Sequence, residues 1–391
     1  MDTERMRQFR LNYLKKVSML VEQDKAYWID FLCEIEPLKT AIDEVEKTIR
    51  ILANYDKEYA SICNREPVGI YRVSLPFNNP IYSFVLYSCG IAFAGNEVIV
   101  RPSKYTAQYV KTFYAAYSQF SEIGIILFLD SGEKFISDAY EETRPGGLLF
   151  TGAYEHLIDI KSKFPSIQHL IYCGSGINPI ILGEGISDLN IAVDSVINSR
   201  IYNSGQDCLC SEKIVVHESI YDDFLSILIK KLSQLKLGKP GDKSADIYPP
   251  FLAIKDDILN RYFLINKKEK CMYKRIENDC ILAVYEVGID SESLNSEKFC
   301  PIFTLAKFED EKDLYPIISS EYKFGLIALG NIGLNVVQHF PHVATSGTVM
   351  QLEALDAHVP FGGKGKSGFS ILGNKYKDGP ILFSYETTRK K

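Results

Sequence analysis

From about residue 67 onward the chain alternates short apolar runs with amphipathic segments, and this alternation constrains the fold more than any other feature. Strands are predicted over 68–75, 98–100, 124–129, 147–150 and 169–172, with helices over 104–120 and 153–163 between them. A second block begins near 188 and predicts helix 188–203, strand 213–217, helix 219–235, strand 301–308, helix 310–320, strand 325–329 and helix 333–340. Parallel strands need long crossovers, usually helices, so strand–helix alternation implies a mostly parallel sheet covered by helices. Two such blocks give an α/β protein with two parallel-sheet domains and an expected cleft between them. Residues 1 to about 55 precede the alternation and read as helices, with Leu11, Leu14, Val17 and Val21 on one face and Ile42, Val45, Ile49 and Leu52 on another. Segment 238–275, with Pro240, Pro249 and Pro250, is expected to be loop plus one helix.

At 391 residues, 46% of them hydrophobic and 24% charged, the chain can bury a core of the size two domains need. A net charge of −6 gives no basic footprint, so a nucleic-acid partner is not expected, and no apolar run is long enough to cross a bilayer. The nine cysteines are odd in number and scattered, and the first residues carry no signal-peptide pattern. Reduced thiols in the cytoplasm are therefore expected. Cys208-Leu209-Cys210 and the Cys271/Cys280 pair do not have the spacing of a zinc ligand set, and no metal site is assigned.

One cysteine stands apart. Asn203-Ser204-Gly205-Gln206-Asp207-Cys208 lies at the end of a helical pattern and just before the strand-like Lys213-Ile214-Val215-Val216-His217. Small and amide residues at such a junction can present a thiolate to a cleft, where it attacks carbonyl carbon well. Gly363-Lys364-Gly365-Lys366-Ser367-Gly368 matches GxGxxG, but too little chain follows it for a strand–helix–strand unit. It reads instead as a glycine-rich loop, together with Pro360-Phe361-Gly362.

Six separated segments, in order, fit one family. Glu66-Pro67-Val68-Gly69-Ile70 with Pro76-Phe77-Asn78-Asn79-Pro80 is similar to "EPLGV…PWNFP"; Ala94-Gly95-Asn96 through Arg101-Pro102-Ser103-Lys104 to "GN…KPSE"; and Phe150-Thr151-Gly152-Ala153 to "FTGS". Gly205-Gln206-Asp207-Cys208 fits "GQxC", Glu297-Lys298-Phe299-Cys300-Pro301 fits "ExFGP", and 360–368 fits "PFGGxKxSG". On these segments the chain resembles the aldehyde dehydrogenase superfamily over nearly its whole length, most of all the short class 3 subgroup.

The resemblance implies the aldehyde dehydrogenase-like fold, with two Rossmann-like domains and a small oligomerisation element. It implies helices and a dinucleotide-binding domain over 1–173, a thiol domain over 174–350, and a segment 351–391 that returns to the cofactor domain and pairs across a homodimer through a strand at 381–385. Cys208 would attack an aldehyde to give a thiohemiacetal and then a thioester. Asn78 would hold the oxyanion, a contact typically worth about 2.7–4 kcal/mol per donor. Glu297, with Phe299, would hold the nicotinamide ribose, Arg101 the adenosine ribose, and the Gly152 turn the pyrophosphate. Pro76, Phe77, Ser103, Lys104, Thr151 and Ala153 complete the cofactor-binding set. His358 and the 352–358 loop would lie along the substrate tunnel, with Tyr82 near it, and Cys300 would narrow the nicotinamide pocket.

Two departures bear on the reaction. The family's "LELGGKxP" glutamate, which activates water, falls on Cys173 or Gly174 in Tyr172-Cys173-Gly174-Ser175-Gly176-Ile177-Asn178-Pro179, depending on where a gap is placed. Either another group activates water, with Glu297 the first candidate; or the acyl group passes to a thiol such as coenzyme A or the enzyme reduces an acyl thioester; or the protein serves a binding or structural role. Lys104 stands where the family has a glutamate that accepts ribose hydroxyls, and a lysine there attracts a 2′-phosphate. NADP is therefore expected in preference to NAD.

Overall fold

The computed structural model describes residues 3–251, 255–345 and 359–390. They fall into two compact units, one formed by 3–29, 42–174 and 359–390, the other by 30–41, 175–251 and 255–345. No helix among the described residues is long and apolar enough to cross a membrane.

The first unit is built on a seven-stranded sheet. Across it lie Lys375–Asp378, Gly368–Leu372, His169–Cys173, Gly146–Thr151, Ile70–Ser74, Glu97–Arg101 and Ile125–Leu127. The last five are mutually parallel, and Gly368–Leu372 joins His169–Cys173 antiparallel. From Ile70–Ser74 the chain steps outward to Glu97–Arg101 and Ile125–Leu127, then returns to place Gly146–Thr151 on the opposite side of Ile70–Ser74. The direction of winding therefore reverses between those two central strands, and in open α/β sheets ligands bind beyond the carboxyl ends at such a reversal. The helix Thr3–Gln23 is pinned by Arg7, whose buried guanidinium donates to the carbonyls of Ile62 and Arg65, each at 2.7 Å, and of Ala94.

The sheet of the second unit runs His342–Ala344, Gly325–Leu329, Asn178–Leu182, Ser211–His217, Ile302–Phe308, Cys280–Glu286, Lys270–Glu277. Only the final strand is antiparallel to its neighbour. Asn178–Leu182 is buried at every position, as a parallel strand covered on both faces must be.

Several elements depart from the expectations above. The helix expected within 238–275 is Lys255–Lys268, but Lys270–Glu277 is an edge strand in a hairpin turned by Asn278 and Asp279, both left-handed. The helices expected over 310–320 and 333–340 shrink to single turns at Glu311–Leu314 with Tyr315–Ile318, and at Leu334–Val337. The 381–385 segment is not a strand. Phe383–Glu386 is a helical turn whose Phe383 ring meets Tyr87 at 5.2 Å. The terminal strand is instead Thr388–Lys390, paired antiparallel with Arg65–Pro67 of the same chain. Two apolar residues in alternation, Ile381 and Phe383, specify no register by themselves.

Candidate functional site

In the first unit the expected cofactor-binding residues gather at one edge of one sheet. Register pairs Ser74 with Arg101 on one side and with Phe150 on the other, so the loops that follow these three strands leave together. They carry Pro76, Phe77 and Asn78; Ser103 and Lys104; and Thr151, Gly152 and Ala153. Thr151 Oγ1 donates to the Ser74 carbonyl at 2.7 Å, and the Leu75 N–H to the Arg101 carbonyl at 3.0 Å, which ties the three loops at their roots. Arg101 Nε donates to the Asp130 carbonyl at 3.3 Å, and Lys104 is exposed, its ammonium 4.9 Å from the Tyr105 ring centroid. Ala153 precedes the helix Tyr154–Lys163, whose first N–H groups have no intrahelical acceptor.

Asn78 is followed by Asn79, left-handed at φ 45°, and by a helix with Pro80 at its first position. The buried carboxylate of Glu44 accepts the N–H of Ile81 at 2.7 Å and of Tyr82 at 2.9 Å. This fixes the first turn after Asn78. Glu44 carried no signal in the sequence, because its partners lie 37 and 38 residues away.

In the second unit the Cys208 loop is held from several sides. Asn203, Ser204 and Gly205 are left-handed in succession, at φ 44°, 56° and 77°. Three such residues turn the chain sharply out of the helix Leu189–Ile201. Thr40 Oγ1 accepts the Asn203 N–H at 3.1 Å, Ser204 Oγ accepts the Tyr248 N–H at 2.8 Å, and Gln206 Oε1 accepts the Phe251 N–H at 2.9 Å. Asp207 Oδ1 accepts the Leu209 N–H at 2.8 Å. Asn203 to Asp207 are buried, whereas Cys208 is partly exposed; among the other cysteines only Cys63 and Cys271 are not buried.

The segment carrying Glu297 and Phe299 packs against this loop. A Cβ on Gly205 would lie 2.6 Å from the Cys300 carbonyl carbon, so glycine is required both by that approach and by its φ. The buried Arg200 guanidinium donates to the Cys300 carbonyl and lies 3.0 Å from Glu212. Burial, followed by the negative charge of Glu212, pushes the Glu297 carboxyl up to about 8, against a hydrogen bond from Ser175. Its Oε1 is enclosed without a hydrogen-bond partner. A carboxyl poised there can hold or release a proton near neutral pH. Phe299 is left-handed at φ 53°, rare for a bulky side chain. Cys300, expected to narrow the nicotinamide pocket, is 0% exposed. Its thiol is fully buried in the core beside Ile181 and Ile302, and burial raises it to about 12.

The two positions that could correspond to the family's water-activating glutamate lie in the first unit. Cys173 ends its strand, and burial raises its thiol to about 12, against a hydrogen bond from Tyr87. At Gly174 an added Cβ would sit 2.2 Å from the Tyr172 hydroxyl and 2.5 Å from the Lys366 carbonyl oxygen, so that space is filled. His358 and the 352–358 loop lie outside the described residues.

The sequence also matches known proteins. The aldehyde dehydrogenase family model matches residues 24–379. A lactaldehyde dehydrogenase of Methanococcus vannielii is 28% identical over 369 residues, covering 87% of this chain and 78% of that protein. One of Methanocaldococcus jannaschii is 24% identical over 404 residues, covering 94% and 85%. The crystal structure of glyceraldehyde-3-phosphate dehydrogenase GapN from Methanocaldococcus jannaschii, complexed with NADP, superposes with a TM-score of 0.83 at 21% identity, covering 99% of this chain and 90% of that one. A proline utilization A (PutA) mutant from Bradyrhizobium japonicum gives 0.84 at 18% identity; 97% of this chain is covered, which spans 42% of the PutA chain.

Proposed function

The chain belongs to the aldehyde dehydrogenase family, and from that premise we propose that it is a nicotinamide-dependent oxidoreductase of aldehydes with Cys208 as covalent nucleophile. One observation carries this reading. Among the described residues six non-glycine residues have left-handed backbone; two form the 278–279 hairpin turn, and the other four are Asn79, Asn203, Ser204 and Phe299. Each of the four adjoins or leads into a segment with a proposed chemical role. Backbone strain of about 1–3 kcal/mol per residue persists where surrounding structure over-determines it, and it clusters at functional sites.

In the proposed reaction the Cys208 thiolate adds to the aldehyde carbonyl, and the Asn78 amide with the Cys208 N–H stabilises the resulting oxyanion. The nicotinamide cofactor, when bound, supplies the hydride acceptor that turns the thiohemiacetal into a thioester. Arg101, Ser103 and Lys104 bind the adenosine end, Thr151, Gly152 and Ala153 the pyrophosphate, Pro76 and Phe77 border the cofactor, and Glu297 with Phe299 holds the nicotinamide ribose. The sheet's reversal point supports this assignment, since the loops after both strands that flank it carry Pro76, Phe77, Gly152 and Ala153, and the loop with Ser103 and Lys104 follows the adjacent strand. The exposed Lys104 favours NADP, the cofactor bound to the GapN structure. Short hydroxyaldehydes are the first substrates to test, on the strength of the lactaldehyde dehydrogenase relatives.

A second reading concerns the fate of the thioester. Neither Cys173 nor Gly174 can act as a carboxylate base, and a thiol acceptor needs little general-base help. Transfer to coenzyme A, or the reverse reduction of an acyl thioester, therefore stands beside hydrolysis with Glu297 as base. A single-turnover assay with lactaldehyde and NADP or NAD, with and without coenzyme A, separates these. A burst of reduced nucleotide with slow turnover, relieved by the thiol, supports acyl transfer; steady turnover in water supports hydrolysis. Unchanged activity in Cys208→Ala would exclude both.

A further inference from the structure

A cavity of about 360 Å³ lies in the first unit, at the amino ends of the central strands. Its walls include 143–147 and 166–169, which lead into Gly146–Thr151 and His169–Cys173. The proposed cofactor loops leave from the carboxyl ends of the same strands, so this is a separate place on the sheet.

The unusual wall residue is Arg72. It sits at the middle of Ile70–Ser74, with Ile99 and Leu148 as its lateral neighbours. Parallel strands covered on both faces carry apolar side chains at such positions. Arg72 is only 8% exposed, and its Nε is enclosed without a hydrogen-bond partner. What it has is weak: the Phe135 ring at 5.8 Å and the fields of nearby carboxylates. Those carboxylates are Asp138, Glu142 and Glu97, and each has another cation beside it, Arg144 in the case of Glu97 at 3.5 Å. Glu142 makes a two-pronged pair with Arg144, both bonds at 3.0 Å, and Asp138 lies 3.5 Å from Lys134. His169, another wall residue, likewise has its Nδ1 enclosed without a partner, and burial lowers the pKa of this ring and so favours its neutral form. Burying a guanidinium is costly unless an anion meets it, and among the described residues no carboxylate forms an ion pair with Arg72.

We propose that this cavity binds a small organic monocarboxylate, with the carboxylate on the Arg72 guanidinium beside the His169 ring and the hydrocarbon body against Ile167. One unpaired cation matches one negative charge, since the other charged wall residues, Glu142 and Arg144, pair with each other. A volume of about 300 Å³ or more is enough for a small-molecule site.

Calorimetric titration with benzoate, benzamide and inorganic phosphate tests the assignment on the whole protein. Benzoate is expected to bind saturably, with benzamide and phosphate at least about tenfold weaker, the scale of one charge-assisted hydrogen bond. Arg72→Met should weaken benzoate by about tenfold or more. Ser166→Trp, at an exposed wall position, should do the same by filling the cavity without touching the central strand, and it decides the question if Arg72→Met fails to fold. No saturable benzoate binding, tighter binding of phosphate, or binding that both variants retain overturns the proposal. Benzoate binding that is lost in Asn78→Ala but survives Ser166→Trp would place it at the aldehyde site and overturn it equally.

Discussion

The side-chain amide of Asn178 donates to the backbone carbonyl of Cys208 at 2.7 Å. The same nitrogen reaches the Cys210 carbonyl at 3.2 Å, and Asn178 Oδ1 accepts the Gly325 N–H at 2.8 Å. One fully buried side chain thus ties the peptide of Cys208 to the neighbouring Gly325–Leu329 strand. Asn178→Ala leaves all three backbone groups without their buried partner. Unfolding in urea should show a loss of about 2–4 kcal/mol. Because the loop moves with its anchor, kcat for aldehyde oxidation should fall at a temperature where the variant remains folded, with a smaller change in KM for the nucleotide.

The Glu297 carboxyl gives a pH signature with a defined sign. Its value is about 8 when folded, against an ordinary 4.5. Between these values the folded protein keeps a proton that the unfolded chain has released. The contribution to stability is full below about 4.5 and is lost as pH rises through about 8. Glu297→Gln carries no such proton. The melting temperature of this variant, relative to wild type, should rise steadily from pH 4.5 to pH 8; a constant difference across that interval would show that the carboxyl ionises normally.

How far the chain could be read in advance depended on whether the signal was local. The strands around 70–74, 97–101 and 211–217 stood out as apolar runs bounded by turn residues. Asn178–Leu182 is just as apolar, but its Asn178-Pro179 start falls inside the segment compared with the family's "LELGGKxP", which masks the strand that follows. Lys270–Glu277 lies at a sheet edge, with Lys270, Lys274 and Glu277 among its exposed positions, so it lacks the apolar run that marks a buried strand. At the site, Cys208, Asn78 and Glu297 could be named from motifs. Their supports could not: Glu44, Thr40 and Asn178 act on partners at least 30 residues away, and no short-range pattern encodes such contacts.

Lys104 sets a prediction about nucleotide choice. It is exposed in the loop after Glu97–Arg101, with its ammonium over the Tyr105 ring. Lys104→Glu replaces attraction for a 2′-phosphate by repulsion. The KM for NADP should rise by about tenfold or more while that for NAD stays level or falls, and the fold should be unaffected, since exposed substitutions of this kind typically change stability by about 0.5 kcal/mol or less. Initial-rate kinetics with both nucleotides check it. Equal effects on the two would remove Lys104 from the nucleotide site.

Introducing a glutamate distinguishes the two positions proposed to correspond to the family's water-activating residue. At Gly174 the side chain has nowhere to go: its Cβ would lie 2.2 Å from the Tyr172 hydroxyl and 2.5 Å from a backbone oxygen, and backbone cannot step aside cheaply. Gly174→Glu should lower the melting temperature by several degrees or abolish soluble expression, at an expected cost of about 1–3 kcal/mol or more for overpacking. Cys173 already carries a side chain, and the Tyr87 hydroxyl that donates to its sulfur can donate to a carboxylate instead. Cys173→Glu should therefore fold with a smaller loss. If the thioester normally waits for a thiol, this variant should shorten the wait, so that turnover in water without coenzyme A rises above wild type while the initial burst of reduced nucleotide keeps its amplitude. A variant that folds, keeps its burst and turns over no faster would show that position 173 cannot deliver a base to the acyl group.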